Sequence, residues 1–262
     1  MTELIYQVRN RVATIQLNRP QHKNSFTLEM IDAWASHLET AGADREVGAI
    51  VLTGSEDSFC AGVDLAVMSE LQQRRSALEW KQVLWDRVHK IAFALERIDK
   101  PVIAAVNGVA VGAGMDMALM CDMRFMARSA RLSEGYVRVG AVPGDGACYY
   151  LPRLVGRAKA LELLLSGDFV DAEESLRIGL VNRVYDDAEL AAQTQAFAER
   201  LASNSPIAVR TIKRAVDQCL RSDLRTSLDL ISSHMGVVLT TNDSVEALAA
   251  FLERRAPNFR GD

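Results

Sequence analysis

Pro101-Val102-Ile103-Ala104-Ala105-Val106-Asn107-Gly108-Val109-Ala110-Val111-Gly112-Ala113-Gly114-Met115-Asp116-Met117-Ala118-Leu119-Met120-Cys121-Asp122 is the stretch whose reading decides the fold. It begins as a β-rich apolar run, the pattern of a buried strand. Asn107-Gly108 predicts a turn. Gly112-Ala113-Gly114 brings backbone close to something, and from Ala113 the propensity is helical. Asp116 then falls in the first turn, beside the free N–H groups of a helix start. Three other readings compete. A membrane span is disfavoured by Asn107, Asp116 and three glycines, because a carboxylate at mid-membrane is costly. A dinucleotide loop needs G-x-G-x-x-G, whereas the spacing here is G-x-x-x-G-x-G. Tight strand–helix packing accounts for the glycines but not for an acid between Met115 and Met117.

Outward from this stretch, strands and helices alternate. Leu4 to Arg9 and Val12 to Leu17 read as a hairpin turning at Asn10-Arg11. Arg19 to Ser25 is a polar loop. Thr27 caps a helix to about Gly42, with Met30, Ile31, Trp34 and Leu38 on one face. Ala49 to Gly54 is a buried strand and Ser55 to Asp64 a loop. Ser76 to Ile98 reads as one long amphipathic helix ending before Lys100-Pro101. Met123 to Ala127 is a strand, and Leu132 to Val142 mixes strand and loop. Pro143-Gly144-Asp145-Gly146 is a turn opening a helix at Ala147. Helices over 158–166 and after Asp171, closed by Gly179, precede a short strand at Val181 to Tyr185. From Asp187 on, almost everything is helical. The expectation is an α/β core over 1–186 and a helical region over 187–262. That region has apolar faces with little in its own sequence to bury them, which predicts contact with another subunit.

The 262 residues are 49% apolar and 24% charged, an ordinary globular composition. A net charge of −4 recommends neither nucleic acid nor an anionic membrane as a partner. Cys60, Cys121, Cys148 and Cys219 show no C-x-x-C spacing and read as reduced thiols. The opening Met1-Thr2-Glu3-Leu4 lacks the basic and apolar regions of a signal peptide, so a cytoplasmic protein is expected. No repeat of about 20–50 residues is visible. His22, His37, His89 and His234 lack ligand spacing, and no G-x-S-x-G occurs; neither a metal nor a serine triad is expected.

Two segments share one shape, a strand, a small-residue turn and a helix. One passes through Ala61-Gly62-Val63-Asp64, the other through Gly112-Ala113-Gly114. If the turns converge, the amides of Val63 and Ala113 clamp one oxygen and stabilise charge developing on it.

Arg19-Pro20 with Asn24, Phe59-Cys60-Ala61-Gly62-Val63-Asp64-Leu65, Ala105-Val106-Asn107-Gly108, Gly112-Ala113-Gly114 and Leu151-Pro152-Arg153-Leu154-Val155-Gly156 resemble the crotonase (enoyl-CoA hydratase/isomerase) superfamily. The likeness runs in order from about 4 to 255. It implies a ββα spiral core and a C-terminal helical trimerisation region, giving homotrimers or homohexamers. It implies an acyl-CoA substrate whose thioester enolate is stabilised by the Val63 and Ala113 amides. It implies CoA contacts from Lys23, Ala61, Asp64 and Leu65, with the adenine pocket near Ala61 and the Lys23 loop. Lys23 is equally readable as a solvated loop lysine. No cofactor is expected beyond the coenzyme A carried by the substrate.

The chain departs from the hydratase pattern in its acids. Hydratases of this family use two glutamates. One follows the glycine turn, where this chain has Asp116. The other sits four residues before a glycine, and counting back from Gly140 lands on Tyr136. Water addition needs both a base and an acid. Asp116 is the first candidate; burial raises its pKa and the helix start lowers it. Tyr136 either donates its O–H or lines the acyl pocket. Asp145 is either the second acid or a helix cap. Glu134 shares a face with Tyr136 if that segment is extended. The function expected is hydration or double-bond isomerisation of an enoyl-CoA. The alternatives are acyl-CoA hydrolysis or related chemistry using Asp145, or acyl-CoA binding without catalysis because a glutamate is missing.

Overall fold

The computed structural model describes residues 2–262. Strands β1 (Leu4–Arg9) and β2 (Val12–Leu17) form the expected antiparallel hairpin. Asn10 and Arg11 both take positive φ, 49° and 64°, as a tight primed turn demands. Thr27 caps α1 (Leu28–Ala43) by accepting from the Met30 amide at 3.2 Å. Met30, Ile31, Trp34 and Leu38 are buried as one face of that helix.

β3 (Ala49–Gly54) is followed by β4 (Ser58–Cys60), which corrects the expected uninterrupted loop over 55–64. Three residues are too few to show a period, and β4 exists because it pairs elsewhere. The expected single helix over 76–98 is also corrected. The chain makes α2 (Leu65–Arg74), α3 (Ala77–Val83), a π turn (Leu84–Val88) and α4 (Lys90–Arg97). The break is the π turn: the His89 amide bonds the Leu84 carbonyl at 2.8 Å, five residues back instead of four.

The organising stretch becomes β5 (Val102–Val106), β6 (Val109–Val111) and α5 (Ala113–Leu119). No helix among the described residues is long and apolar enough to cross a membrane. β7 (Met123–Ala127) and β8 (Arg131–Ser133) lead to a 3-10 turn over Gly135–Val139. Then come α6 (Ala147–Val155), α7 (Arg157–Ser166), β9 (Val170–Asp171), α8 (Ala172–Arg177) and β10 (Arg183–Tyr185). Four helices finish the chain: α9 (Leu190–Ala202), α10 (Pro206–Cys219), α11 (Leu224–Leu239) and α12 (Asn242–Glu253).

Two sheets result. One has the order β1-β2-β3-β5-β7-β10 and the other β4-β6-β8-β9. Each repeat of the chain gives its first strand to the large sheet and its second to the small one. β3, β5 and β7 are parallel neighbours, as are β4, β6 and β8. This is the expected ββα spiral, and it stacks the β4–α2 turn against the β6–α5 turn.

α9 lies against the large sheet, with Leu190, Thr194, Ala198 and Ala202 buried. The helical region after 186 thus begins with a helix packed on the core, and α10 to α12 follow it. Lys213 ties α10 back, bonding the Lys100 carbonyl at 2.9 Å and Asp122 at 2.8 Å. The outer faces of these helices are apolar and open: Leu220 and Phe251 are each 80% exposed.

Candidate active site

Two motif side chains build the floor of the site. Asn24 Nδ2 donates to the carbonyls of Ser55 at 2.9 Å and Ser58 at 2.7 Å, while its Oδ1 accepts from the Arg19 amide at 2.9 Å. Asn107 Oδ1 accepts from the Gly54 amide at 2.9 Å, and its Nδ2 donates to the carbonyls of Glu56 and Ser58. The loop between β3 and β4 is thus gripped from both sides. Amide side chains that satisfy backbone groups in this way, buried at Asn24 and half-buried at Asn107, fix a loop in one conformation.

The next four residues are pinned like a strand. Ala61 donates to the Lys23 carbonyl, Phe26 to the Gly62 carbonyl and Asp64 to the Phe26 carbonyl, each at 2.9 Å. Val63 lies between these contacts, and its amide has no backbone acceptor among the described residues. Gly62 adopts φ +95°, and a Cβ added there would stand 3.6 Å from the Ala113 amide nitrogen. The two small-residue turns therefore meet. Ala113 opens α5, so its amide too lacks an intrahelical acceptor.

The four residues expected to contact CoA lie along this edge in different states. Lys23 is exposed and paired with Asp57 at 2.6 Å. Ala61 is exposed, and Leu65 is 82% exposed. Asp64 caps α2 through the Ala66 amide at 2.9 Å and pairs with Arg19 at 3.1 Å, so its carboxylate is committed to the fold.

Three carboxyls and a phenol gather behind the turns. Asp116 is fully buried in α5. The Tyr136 hydroxyl donates to Asp116 Oδ2 at 2.6 Å and lies 3.0 Å from Asp145 Oδ2. Glu134 is 1% exposed, and neither of its oxygens has a hydrogen-bond partner among the described residues. Asp116 Oδ1 and Asp145 Oδ1 are likewise buried and unpartnered. Glu134 and Tyr136 do not share a strand face as expected; they flank and enter the 3-10 turn, which brings both inward. Asp145 is not the cap of α6. Gly146 holds that position at φ 136° with no side-chain cap, because the turn already directs Asp145 toward Tyr136.

Burial dominates the electrostatics. It pushes the Asp116 carboxyl up to about 8, helped by the neighbouring Asp145 and opposed by the Tyr136 hydroxyl and the Ala147 amide. Burial, then Asp116 and Asp145, drives Glu134 well above the carboxylate range. Asp145 is also raised by burial, against the pull of Tyr136 and His89. Acids raised together in one buried cluster make this a candidate site for proton transfer.

His89 was invisible from ligand spacing. Its Nε2 lies 2.7 Å from the Gly144 carbonyl, and its ring meets Trp85 and Phe93 edge-on. The π turn rotates it onto the Asp145 turn, and nothing in the linear pattern announces that register shift. A cleft of about 260 Å³ lies elsewhere, between α4 and α10. Its lining is ion-paired, as in Arg214 with Asp99 at 3.0 Å, and none of the buried acids reaches it.

Residues 7–262 match the family model described as enoyl-CoA hydratase/isomerase. The short-chain-enoyl-CoA hydratase of Clostridium acetobutylicum is 36% identical over 261 residues, 97% of this chain and 96% of that protein. The crotonyl-CoA hydratase of Syntrophomonas wolfei is 35% identical, over 98% of this chain and 97% of its own. The solved enoyl-CoA hydratase of Bacillus anthracis superposes with a TM-score of 0.93 at 32% identity, covering all of both chains.

Proposed function

The chain belongs to the enoyl-CoA hydratase/isomerase family, and from that premise we propose that it works through a thioester enolate held by the amides of Val63 and Ala113, with Asp116 moving the proton. It is an acyl-CoA enzyme of the hydratase/isomerase type. The observation that carries the mechanism is the meeting of two turns whose amides lack backbone acceptors, one helical turn from a buried aspartate. Two donors aimed at a thioester oxygen stabilise the charge that arrives there on enolisation. Each such donor is worth roughly 3–4 kcal/mol in the transition state. Asp116, held up to about 8, sits where a general acid or base is most effective near neutral pH.

The CoA path runs past Lys23, Ala61, Asp64 and Leu65. The Lys23–Asp57 pair is exposed, so a phosphate displaces Asp57 at little cost. Coenzyme A arrives on the substrate, and the reaction draws on no other cofactor. Short-chain 2-enoyl thioesters are the first substrates to try, on the names of two relatives. Hydrolysis by Asp145 is disfavoured, because burial raises its pKa and Tyr136 occupies one of its oxygens. The four free cysteines fit a cytoplasmic setting.

Acyl-CoA thioesters are expected to raise the melting temperature while the matching free acids do not. At a hundredfold excess over the dissociation constant the gain is about 2.7 kcal/mol. A thermal-shift series flat for every acyl-CoA would sink this reading.

We also propose a homotrimer or homohexamer built on the C-terminal helices. Leu220, Leu224 and Phe251 are each more than 70% exposed, and such apolar faces are normally covered. Light scattering at micromolar concentration should return three or six times the chain mass. A monomer would contradict it.

A further inference from the structure

The contacts of Tyr136 fix a proton count. Its hydroxyl carries one hydrogen, yet its oxygen stands 2.6 Å from Asp116 Oδ2 and 3.0 Å from Asp145 Oδ2. The single hydrogen serves only one of these oxygens. The other contact is attractive only if that carboxyl is itself protonated and donates to the phenol oxygen, which has lone pairs to receive it. With both aspartates ionised, one pair of oxygens would face each other bare at hydrogen-bond distance, inside the protein. Among the described residues, no lysine or arginine contributes to the charge environment of Asp116, Glu134 or Asp145. His89 lies near Asp145, but its Nε2 meets the Gly144 carbonyl, so among the described residues it makes no direct bond to either aspartate.

We propose that Asp116, Tyr136 and Asp145 share a single carboxylic proton, and that Tyr136 is the relay through which the two aspartates trade acid and base roles between turnovers. This rests on the acyl-CoA reading and names the group that resets it. Tyr136 acts through the aspartates, so it is a positioning residue.

The relay balances for either reaction of the family. In a double-bond shift, the ionised aspartate takes a proton from Cα of a 3-enoyl thioester. The C–H bond breaks and its electron pair enters the enolate. The protonated aspartate gives its proton to Cγ, the enolate electrons return, and a 2-enoyl thioester is left. In water addition, the ionised aspartate takes a proton from water as the oxygen bonds Cβ, and the protonated one delivers to Cα. Either way acid and base have changed places. The new acid then passes its proton to the phenol oxygen while the phenol proton moves to the new carboxylate. The starting state returns with no net proton gained or lost. Without the phenol, the reset must draw on solvent in a buried site.

Tyr136→Phe tests this. Phenylalanine keeps the ring that packs 3.5 Å from where a Gly112 Cβ would stand, and removes only the hydroxyl. Turnover is expected to fall roughly ten- to a hundredfold, the size of a lost hydrogen bond to a charged group, with acyl-CoA affinity unchanged. The hydroxyl favours the ionised form of both aspartates, so the acid limb of the rate profile should move to higher pH in the variant. Glu134, His89, Cys60 and Cys148 also face the cluster, and the substitution leaves them in place. A ring with a purely structural role would shift neither quantity. A second measurement needs no turnover. The infrared carboxylic-acid band at neutral pH should lose one group, not two, in the double variant Asp116→Asn/Asp145→Asn, because the pair holds a single proton. Wild-type turnover and pH profile in Tyr136→Phe, or loss of two groups or of none in the double variant, would overturn the relay. Failure of the unaltered protein to bind any acyl-CoA by calorimetry would instead overturn the acyl-CoA reading beneath it.

Discussion

Asp116→Asn is expected to lose turnover by roughly 10²–10⁴-fold while acyl-CoA binding stays nearly intact. Asparagine keeps the size of the side chain and still accepts from the Tyr136 hydroxyl, which donates to Asp116 at 2.6 Å. It carries no transferable proton, so the step at the α-carbon loses its acid or base. Binding survives because the backbone amides and the CoA edge supply it. The same substitution should leave a mark on stability. The folded pKa of Asp116 is about 8, raised chiefly by burial from the ordinary aspartate value of 3.8. A carboxyl raised in this way costs the fold nothing below its unfolded pKa, and stability is lost as pH climbs from there through the folded value. Asp116→Asn removes that loss, so the variant should melt above the unaltered protein at pH 8 and match it near pH 4. Asp145→Asn is the companion measurement. Asp145 caps no helix, so its loss should lower the rate without the stability cost of a broken cap. Near-normal turnover in Asp116→Asn on a confirmed substrate would move the chemistry to Asp145 or Glu134.

The parts of this site that were legible in the sequence are those written as local pattern. A strand, a small-residue turn and an acid in the first helical turn are adjacent in the chain, so Ala113 and Asp116 could be read directly. Val63 was legible because its segment repeats that shape. The meeting of Tyr136 with Asp145 was not legible. It depends on a 3-10 turn over Gly135–Val139 that swings Tyr136 inward, and on the backbone of Gly146, whose φ of 136° leaves Asp145 facing the phenol. An aspartate before a helix looks the same in sequence whether it caps or points away. β4 is illegible for a related reason, since three residues become a strand only when β6 lies beside them. The π turn before His89 adds one residue to a helical turn, and no propensity scale registers it.

Gly114→Ala should damage both fold and chemistry, although alanine is ordinarily the better helix former by about 1 kcal/mol. Gly114 lies in the first turn of α5, and no unusual φ requires glycine there. The constraint is space. A Cβ at Gly114 would stand 2.0 Å from the Cys60 carbonyl oxygen and 2.7 Å from its carbon. These are backbone atoms of β4, where Cys60 is registered with Ala110 of β6 and fully buried, so no side chain can swing aside. The helix and the strand must separate. Overpacking of a well-filled core costs roughly 1–3 kcal/mol, and a backbone clash of this depth belongs at the upper end. The separation also carries Val63 away from Ala113, because Val63 lies three residues past the end of β4 and Ala113 begins α5. If one amide leaves the thioester oxygen, kcat should fall by roughly 10²–10³-fold. Gly236 supplies the contrast: it lies in α11, and an added methyl meets nothing within 4 Å. Gly236→Ala should melt no lower than the unaltered protein, because it gains helix propensity without a clash. Calorimetric melting and steady-state turnover of the two variants decide the matter. Unchanged melting and rate in Gly114→Ala would mean that β4 and α5 yield freely, and that their close approach does not set the spacing of the two amides.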